Sequence, residues 1–192
     1  MQRLDETKRE AILKSAKRRL SQYGVRKTTM QDIAEDTGIA VGTLYLYFKN
    51  KNEILVATAE SYSQQHIEET EDILRSPITA SAKLKAYLLS RFRAVKEYRL
   101  GGSHAAELTR AVIRLRPELK QKEGEAVREN VHRILRYGIE TNELKIQHLE
   151  KDLDVFLFSI GYFFPMPTTE NYYEPEEEQL CLVIEWFLQQ WS

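Results

Sequence analysis

The segment 28–51, TTMQDIAEDTGIAVGTLYLYFKNK, constrains the fold of this chain more than any other. Thr29 precedes an apolar-periodic run and is followed three residues later by an acid, a spacing typical of a capped helix start. Gly38 interrupts the pattern, because glycine accepts the positive φ that follows a helix end. The segment predicts a helix at about 30–36, a tight turn and a second helix at 41–48, which together form a helix-turn-helix.

The rest of the chain has the same helical periodicity, with apolar residues recurring at three- and four-residue spacing. No segment alternates with the period of two that a half-buried strand requires. We predict an all-α protein of about nine helices, with the helix-turn-helix in an N-terminal domain at residues 1–51 and a larger helical domain at 52–192. Besides the helix-turn-helix, the predicted helices are 5–23, 52–75, 79–98, 103–115, 117–142, 150–163 and 176–191, with a Pro-rich loop, PMPTTENYYEPEEE, leading into the last.

Charge is divided unevenly along the chain. Residues 1–51 contain 11 Lys and Arg against 6 Asp and Glu, whereas residues 52–192 contain 17 against 23. The formal net charge of −1 for the whole chain hides this asymmetry. A basic N-terminal segment favours binding to phosphate, and an acidic remainder keeps the other part of the protein off the DNA.

The run GTLYLYFKNK, residues 42–51, closely resembles the signature of the tetracycline-repressor (TetR) family of bacterial transcriptional regulators. The resemblance covers the first quarter to third of the chain. It implies a homodimer that binds a palindromic operator in double-stranded DNA and a small-molecule effector in its C-terminal domain. Effector binding then changes the spacing of the two DNA-binding domains and releases the DNA, which requires the effector to prefer the released state.

Residues of the second short helix and its flanks are predicted to contact DNA, because an α-helix fits the major groove. Gly42 permits close backbone approach, Thr43 offers a hydroxyl and a methyl group, and the family resemblance implies that Lys51 contacts the DNA backbone. Thr28 and Thr29 place a hydroxyl and free amides at a helix N-terminus, a further anion site. The predicted DNA-binding residues are Lys27, Thr28, Thr29, Val41, Gly42, Thr43, Tyr45, Leu46, Tyr47 and Lys51.

Two features of this helix leave alternatives open. Packing between helices is the alternative role for its two tyrosines, Tyr45 and Tyr47. The helix also contains no Arg, Asn or Gln, the usual bidentate readers of bases. We therefore expect specificity to depend partly on apolar contacts, backbone groups and DNA shape.

The two most hydrophobic helices, 150–163 and 176–191, are predicted to form the dimer interface. One DNA-binding domain buries too little surface for tight operator binding, so two copies are expected on two half-sites. The TetR family pairs its last two long helices into a four-helix bundle across the two-fold axis. Packing inside one subunit is the alternative. The residues assigned to the interface are Leu153, Phe156, Leu157, Ile160, Leu180, Val183, Ile184, Phe187, Leu188 and Trp191.

An effector site is indicated only indirectly, by aromatic and polar-tipped side chains on the helices of the larger domain. The residues assigned to it are Tyr62, His66, Tyr87, Phe92, His104 and Tyr137. For each of them, core packing is the favoured alternative. The class of effector stays open among drugs, fatty acyl thioesters, metabolites and signalling lactones.

Other functional classes are disfavoured. The four histidines lack metal-ligand spacing, no glycine loop suggests phosphate binding, and the single cysteine, Cys181, lies in an apolar helix. We therefore expect no enzyme activity, no metal and no cofactor. No apolar run approaches the roughly 18 to 20 residues of a membrane span and the N-terminus lacks a signal pattern, so we expect a cytoplasmic protein with no membrane partner. A DNA-bound regulator or architectural protein without a small-molecule inducer remains the alternative function.

Overall fold

The computed structural model describes residues 5–100, 103–164 and 174–192, and these ranges contain nine α-helices and no strand. This confirms the all-α prediction, and the helix ends lie within three residues of the predicted ones. Residues 165–173 of the predicted Pro-rich loop lie outside the described residues. The helices are α1 (Glu6–Tyr23), α2 (Met30–Thr37), α3 (Val41–Tyr47), α4 (Lys51–Arg75), α5 (Ala80–Leu100), α6 (Ser103–Leu115), α7 (Glu118–Glu140), α8 (Leu149–Ile160) and α9 (Glu177–Gln190), with a 3-10 turn at Gly161–Phe163.

The helices divide into two compact units. The first comprises Met1–Gln65 and Tyr98–Glu118, and the second comprises His66–Glu97 and Leu119–Ser192. The first unit therefore extends beyond residue 51, where the sequence places the domain boundary, and it includes α6. The physical reason is that α6 packs against α1, so a helix distant in sequence completes the N-terminal unit.

In the first unit, α1 to α4 enclose one apolar core. Burial of these side chains is the main stabilising contribution, at about 25 cal/mol per Å² of apolar surface removed from water. The N-terminus of α1 is capped by Asp5, whose carboxylate accepts a hydrogen bond from the Lys8 backbone N–H. The fully buried apolar residues of this core are Ile12, Ala16, Ile33, Ala34, Leu44 and Ile54.

The second unit has a larger core built from α5, α7, α8 and α9. Its aromatic centre contains Phe156, whose ring centroid lies 5.1 Å from that of Phe187 and 5.5 Å from that of Trp191, in edge-to-face arrangements. Other fully buried side chains of this core are Leu84, Leu88, Val131, Leu135, Leu153, Leu180 and Ile184.

A buried lysine holds the C-terminal end of α4. The Lys83 side chain is almost inaccessible to solvent, and its Nζ donates to the carbonyl oxygens of Leu74 and Ser76, each at 2.6 Å. The same ammonium lies 4.8 Å from the ring centroid of Tyr137. The last carbonyls of a helix have no intrahelical donor, so Lys83 satisfies them and complements the negative end of the helix dipole.

The N-terminal end of α5 is capped from a distant part of the chain. The Glu143 carboxylate accepts hydrogen bonds from the backbone N–H groups of Ala80 at 2.5 Å and Ser81 at 2.9 Å, and from Ser81 Oγ at 2.6 Å. Burial raises the pKa of Glu143, but these hydrogen bonds outweigh burial and leave it below the ordinary value. Glu143 therefore stabilises the second unit in its ionised form.

Candidate DNA-binding surface

Helices α2 and α3 form the helix-turn-helix that the sequence predicts. Thr29 caps α2 in a reciprocal pair: its Oγ1 accepts from the Asp32 backbone N–H at 3.2 Å, and its own N–H donates to Asp32 Oδ2 at 2.8 Å. At the other end, Gly38 has a φ of 72°, a left-handed conformation that glycine adopts without steric cost. The cap therefore fixes where α2 begins, and Gly38 fixes the turn that leads into α3.

The two sides of α3 have different roles. Leu44 is fully buried and the following Phe48 is nearly so, which anchors α3 to the core of the first unit. On the outer side, Gly42 is exposed, Tyr45 is 49% exposed and Leu46 is 70% exposed. An exposed helix face held on a rigid core is the arrangement with which a recognition helix enters the major groove.

The remaining predicted residues of α3 are partly buried. Val41 and Tyr47 pack against the core of the first unit, and Thr43 is also only partly exposed. The Tyr47 hydroxyl accepts a hydrogen bond from the Asp5 backbone N–H at 3.3 Å. Tyr47 therefore has the packing role that the sequence left open as an alternative. Its hydroxyl group can still donate its own proton.

The loop between α1 and α2 is held by charged side chains from two other helices. Glu107 of α6 accepts a hydrogen bond from the Val25 backbone N–H at 2.9 Å. Lys51 Nζ, at the start of α4, donates to the carbonyl oxygens of Val25 at 3.0 Å and Thr28 at 3.1 Å. The Lys51 ammonium is therefore engaged inside the protein, and its role in this structure is to position the loop.

Close packing of α6 on this loop requires glycine at position 24. Gly24 has a φ of 78°, and a Cβ atom there would lie 2.5 Å from His104 Nδ1 and 2.6 Å from Glu107 Oε2. His104, predicted to line an effector site, instead contacts the α1–α2 loop within the first unit. The sequence analysis missed the role of Glu107 because this residue is 82 positions from Val25 and carries no local motif.

The two threonines at the start of α2 are not the anion site that the sequence suggested. Thr28 is fully buried and its hydroxyl donates to the Gly24 carbonyl oxygen at 2.7 Å. The Thr29 N–H is occupied by Asp32, as described above. Hydrogen bonding to Thr29 lowers the pKa of the Asp32 carboxyl, and the Arg19 charge lowers it further. An ionised acid already occupies the positive end of α2, and Thr28 serves the fold.

Most of the residues assigned to the dimer interface pack in the core of the second unit, which is the alternative role given for them. A side chain with almost no solvent exposure in one subunit adds little to a contact with a second one. Leu157 and Val183 retain partial exposure. The buried members of the set are Leu153, Phe156, Ile160, Leu180, Ile184, Phe187, Leu188 and Trp191.

The opposite faces of the same two helices expose large apolar side chains. On α8 and the turn after it, Phe158 is 90% exposed, and Val155 and Tyr162 are each half exposed. On α9, Leu182 is 66% exposed and Trp186 is 56% exposed. These residues recur at three- and four-residue spacing, which can be seen in the sequence. Seven of the twelve residues of α8 are apolar, and one side of a helix cannot bury that many.

The structure places the residues assigned to an effector site in different surroundings. Tyr87 and Phe92 lie in the core of the second unit, as their alternative role implies. His66 is partly exposed beside Glu69, and Tyr137 is partly exposed beneath Lys83. The Tyr62 side chain lies outside the described residues.

In the same described ranges, no group of three or more His, Cys, Asp or Glu side chains is placed to hold a metal ion. None of the helices in these ranges combines the length and the apolar character needed to cross a membrane. The helix-turn-helix is thus the part of the described structure whose geometry indicates a function.

Comparison with known proteins gives the same result. The family model for bacterial regulatory proteins of the tetR family matches residues 12–58. The "Fatty acid metabolism regulator protein" of Bacillus subtilis (strain 168) is 32% identical over 139 residues, which is 70% of this chain and 69% of that protein.

Two solved structures resemble the fold along nearly its whole length. A transcriptional regulator from Cytophaga hutchinsonii is 28% identical with a TM-score of 0.69, over 96% of this chain and 98% of that one. The transcriptional regulator FadR from Bacillus subtilis, in complex with stearoyl-CoA, is 25% identical with a TM-score of 0.62, over 94% of this chain and 97% of that one. The helix-turn-helix geometry, the family match and the long relative together place this chain in the tetR family of bacterial regulatory proteins, as a transcriptional regulator with a helix-turn-helix DNA-binding domain.

Proposed function

We propose that the protein is a ligand-responsive repressor that binds a palindromic operator as a homodimer and is released by a small molecule. The observation that carries the proposal is the outer face of α3, whose exposed residues have no packing role in the first unit. A regulator of this kind acts on DNA in the cytoplasm and is not an enzyme. We assign DNA binding to residues 1–51 and effector binding and dimerisation to the rest of the chain.

The proposed DNA contacts follow from exposure and chemistry. Lys27 is exposed in the α1–α2 loop, where an ammonium can bind phosphate as a point charge. Tyr45 and Tyr47 carry hydroxyls that can donate to phosphate oxygens. Val41, Thr43 and Thr29 lie at the edges of the same region, and Gly42 and Leu46 lie at its centre. Lys51 and Thr28 support this surface from inside.

We place the dimer contact on the exposed faces of α8 and α9, centred on Phe158, Leu182 and Trp186. Large apolar patches are seldom left exposed on monomeric proteins, and aromatic residues are enriched where proteins associate. A two-fold interface uses the same patch from both subunits. Two subunits joined in this way would contact two half-sites about one helical turn, roughly 34 Å, or a multiple of it apart.

We propose a long-chain fatty acyl thioester as the effector. This rests on two of the comparisons reported above, a Bacillus subtilis relative named for fatty acid metabolism and a Bacillus subtilis regulator structure in complex with stearoyl-CoA. To act as an effector, the ligand has to bind the released conformation more tightly than the DNA-bound one by a few kcal/mol. The competing proposal is a regulator that binds DNA without any inducer.

The test starts with selection of duplexes from a random DNA library by the purified protein. Fluorescence anisotropy of a selected duplex then measures release by stearoyl-CoA, with free CoA and stearate as matched controls. We expect a palindromic site and release by micromolar stearoyl-CoA only. Selection of no sequence would contradict operator binding, whereas a selected site that stearoyl-CoA does not release would contradict the effector class.

A further inference from the structure

Gly42 occupies a position in α3 at which the protein itself has no need of glycine. Its φ is negative, since the positive-φ glycines of the described residues are Gly24 and Gly38. Apart from its chain neighbours and the backbone of its own helix, a Cβ atom built on Gly42 would meet no described atom within 4 Å. Glycine is also a poor helix former, so alanine would fit this position and stabilise α3. A bare backbone here is explained by a partner that approaches α3 closely.

Leu46 lies one turn further along the same face. Residues four apart are neighbours on a helix surface, and Leu46 is on the side opposite the buried Leu44. At 70% exposure it is the most exposed large apolar residue among the described side chains of the first unit. No charged residue occurs in α3 itself, VGTLYLY. Along the line from Gly42 to Leu46 the outward face therefore presents bare backbone and then an isobutyl group, with the half-exposed Tyr45 beside them.

The chemistry of this face selects one feature of the major groove. Each base pair presents donors and acceptors there, and thymine alone adds an apolar group, its C5 methyl. An isobutyl side chain cannot satisfy a donor or an acceptor but gains from covering a methyl group. We infer that Gly42 lets the base edges of the major groove approach the α3 backbone closely and that Leu46 contacts the methyl group of a thymine. Each operator half-site would then require thymine at the base pair that Leu46 contacts. The inference rests on the proposed operator binding.

The test uses the duplex that the wild-type protein selects from the random library. Each thymine of a half-site is replaced in turn by deoxyuridine, which keeps base pairing and removes only the C5 methyl. We expect one position in each half-site at which the replacement weakens binding by about fourfold, the effect of one buried methyl group. The Leu46→Ala protein should bind the thymine duplex more weakly and should no longer distinguish it from the deoxyuridine duplex at that position.

Gly42 has a matched control in the second unit. Gly124 is also an exposed glycine inside a helix, α7, and a Cβ atom there would likewise meet nothing within 4 Å. Both Gly42→Ala and Gly124→Ala should raise the melting temperature of the protein. Only Gly42→Ala should weaken operator binding, by about tenfold or more, because its methyl group separates the backbone from the base edge.

The outcomes separate this inference from the function on which it rests. If the wild-type protein selects no duplex, operator binding itself is contradicted. If it selects a duplex but binds every deoxyuridine version as tightly, or if Leu46→Ala keeps the same preference for thymine, the assignment of Leu46 is overturned. A Gly42→Ala protein with wild-type operator affinity would overturn the assignment of Gly42.

Discussion

The outer face of α3 and the outer faces of α8 and α9 both expose large apolar side chains, but their surroundings differ. Leu46 belongs to a segment, residues 1–51, with 11 basic against 6 acidic residues. Phe158 and Trp186 belong to two helices that together contain six acidic residues and one lysine, and α9 itself contains no Lys or Arg. Exposed apolar surface indicates a partner, and the charge around it indicates which kind.

Ion pairs inside the second unit add to the difference in charge between the two surfaces. Arg128 of α7 contacts both Glu150 and Asp154 of α8, and Arg93 of α5 makes a two-pronged pair with Glu177 of α9. These acids are therefore neutralised within the subunit. These pairs reduce the charge repulsion that a second copy would meet beside Phe158 and Trp186, whereas α9 has no Lys or Arg that could bind the phosphates of DNA.

The largest effects are expected from placing a carboxylate on each of the two surfaces in turn. Leu46→Glu should abolish operator binding and leave the dimer intact, because a carboxylate at the groove repels phosphate. Phe158→Glu should raise the dimer dissociation constant by about 1,000-fold. The substitution occurs on both sides of a two-fold interface, and each copy should cost roughly 2 kcal/mol of association free energy. Light scattering at micromolar protein and fluorescence anisotropy with the selected duplex measure the two properties.

Each variant of that pair controls for the other, since both place a carboxylate on an already exposed position and should leave the fold unchanged. A Phe158→Glu protein that remains a dimer would remove α8 from the interface. A Leu46→Glu protein that still binds the operator would show that the α3 face is not the DNA-binding surface.

A second pair separates the two sides of α8. Phe156→Ala should lower the free energy of unfolding by about 3–5 kcal/mol, because it leaves a cavity beside Phe187 and Trp191. Phe158→Ala, two residues later, should change the unfolding of the monomer by less than about 0.5 kcal/mol. Urea denaturation at several protein concentrations distinguishes packing from association, since only association depends on concentration. Equal losses for both variants would contradict the division of α8 into a core side and an interface side.

The same helix shows what the sequence could predict and where it stopped. The 3.6-residue period located α8, and the cap at Thr29 and the glycine at Gly38 located the helix-turn-helix, because these signals are local. The sequence could not decide which apolar side of α8 is covered, since Phe156 and Phe158 are chemically identical and only tertiary packing distinguishes them. The position of Glu107 at the Val25 N–H depends likewise on a contact between distant segments.

Lys51 shows the same limit for a charged residue. Its place in the motif predicts a contact with DNA, but its ammonium donates to the carbonyl oxygens of Val25 and Thr28. A local motif specifies that a lysine occurs at the start of α4. It does not specify whether the long side chain turns outward to solvent or inward to the loop.

A third prediction divides the basic charges of the first unit by role. Lys51→Met should lower the free energy of unfolding by about 1.5–3 kcal/mol, since two carbonyl groups lose a charged donor. Lys27→Met, at an exposed position, should leave stability unchanged but should reduce the salt dependence of operator binding by about one counterion for each subunit. The measurements are thermal unfolding without DNA and the slope of log affinity against log salt. If Lys51→Met left the stability unchanged and reduced the slope, Lys51 would be a DNA contact and not a support for the loop.

The smallest expected effect concerns the acids of the second unit, where a partly buried acid and an exposed one differ in pH dependence. Glu143 caps α5 and has a pKa below its ordinary value, so it stabilises the folded state above the unfolded pKa and loses this contribution as the pH falls through the folded pKa. Glu143→Gln should therefore cost about 1–2 kcal/mol at pH 7, and the difference from wild type should shrink as the pH falls through the acidic range. Glu140→Gln is the control, because Glu140 forms only an exposed pair with Arg136 at 3.3 Å and should change stability by less than about 0.5 kcal/mol at any pH. Urea denaturation at several pH values measures the free energy of unfolding of both variants. If the cost of Glu143→Gln stays constant down to pH values at which carboxyl groups are protonated, the charge of Glu143 does not stabilise the start of α5.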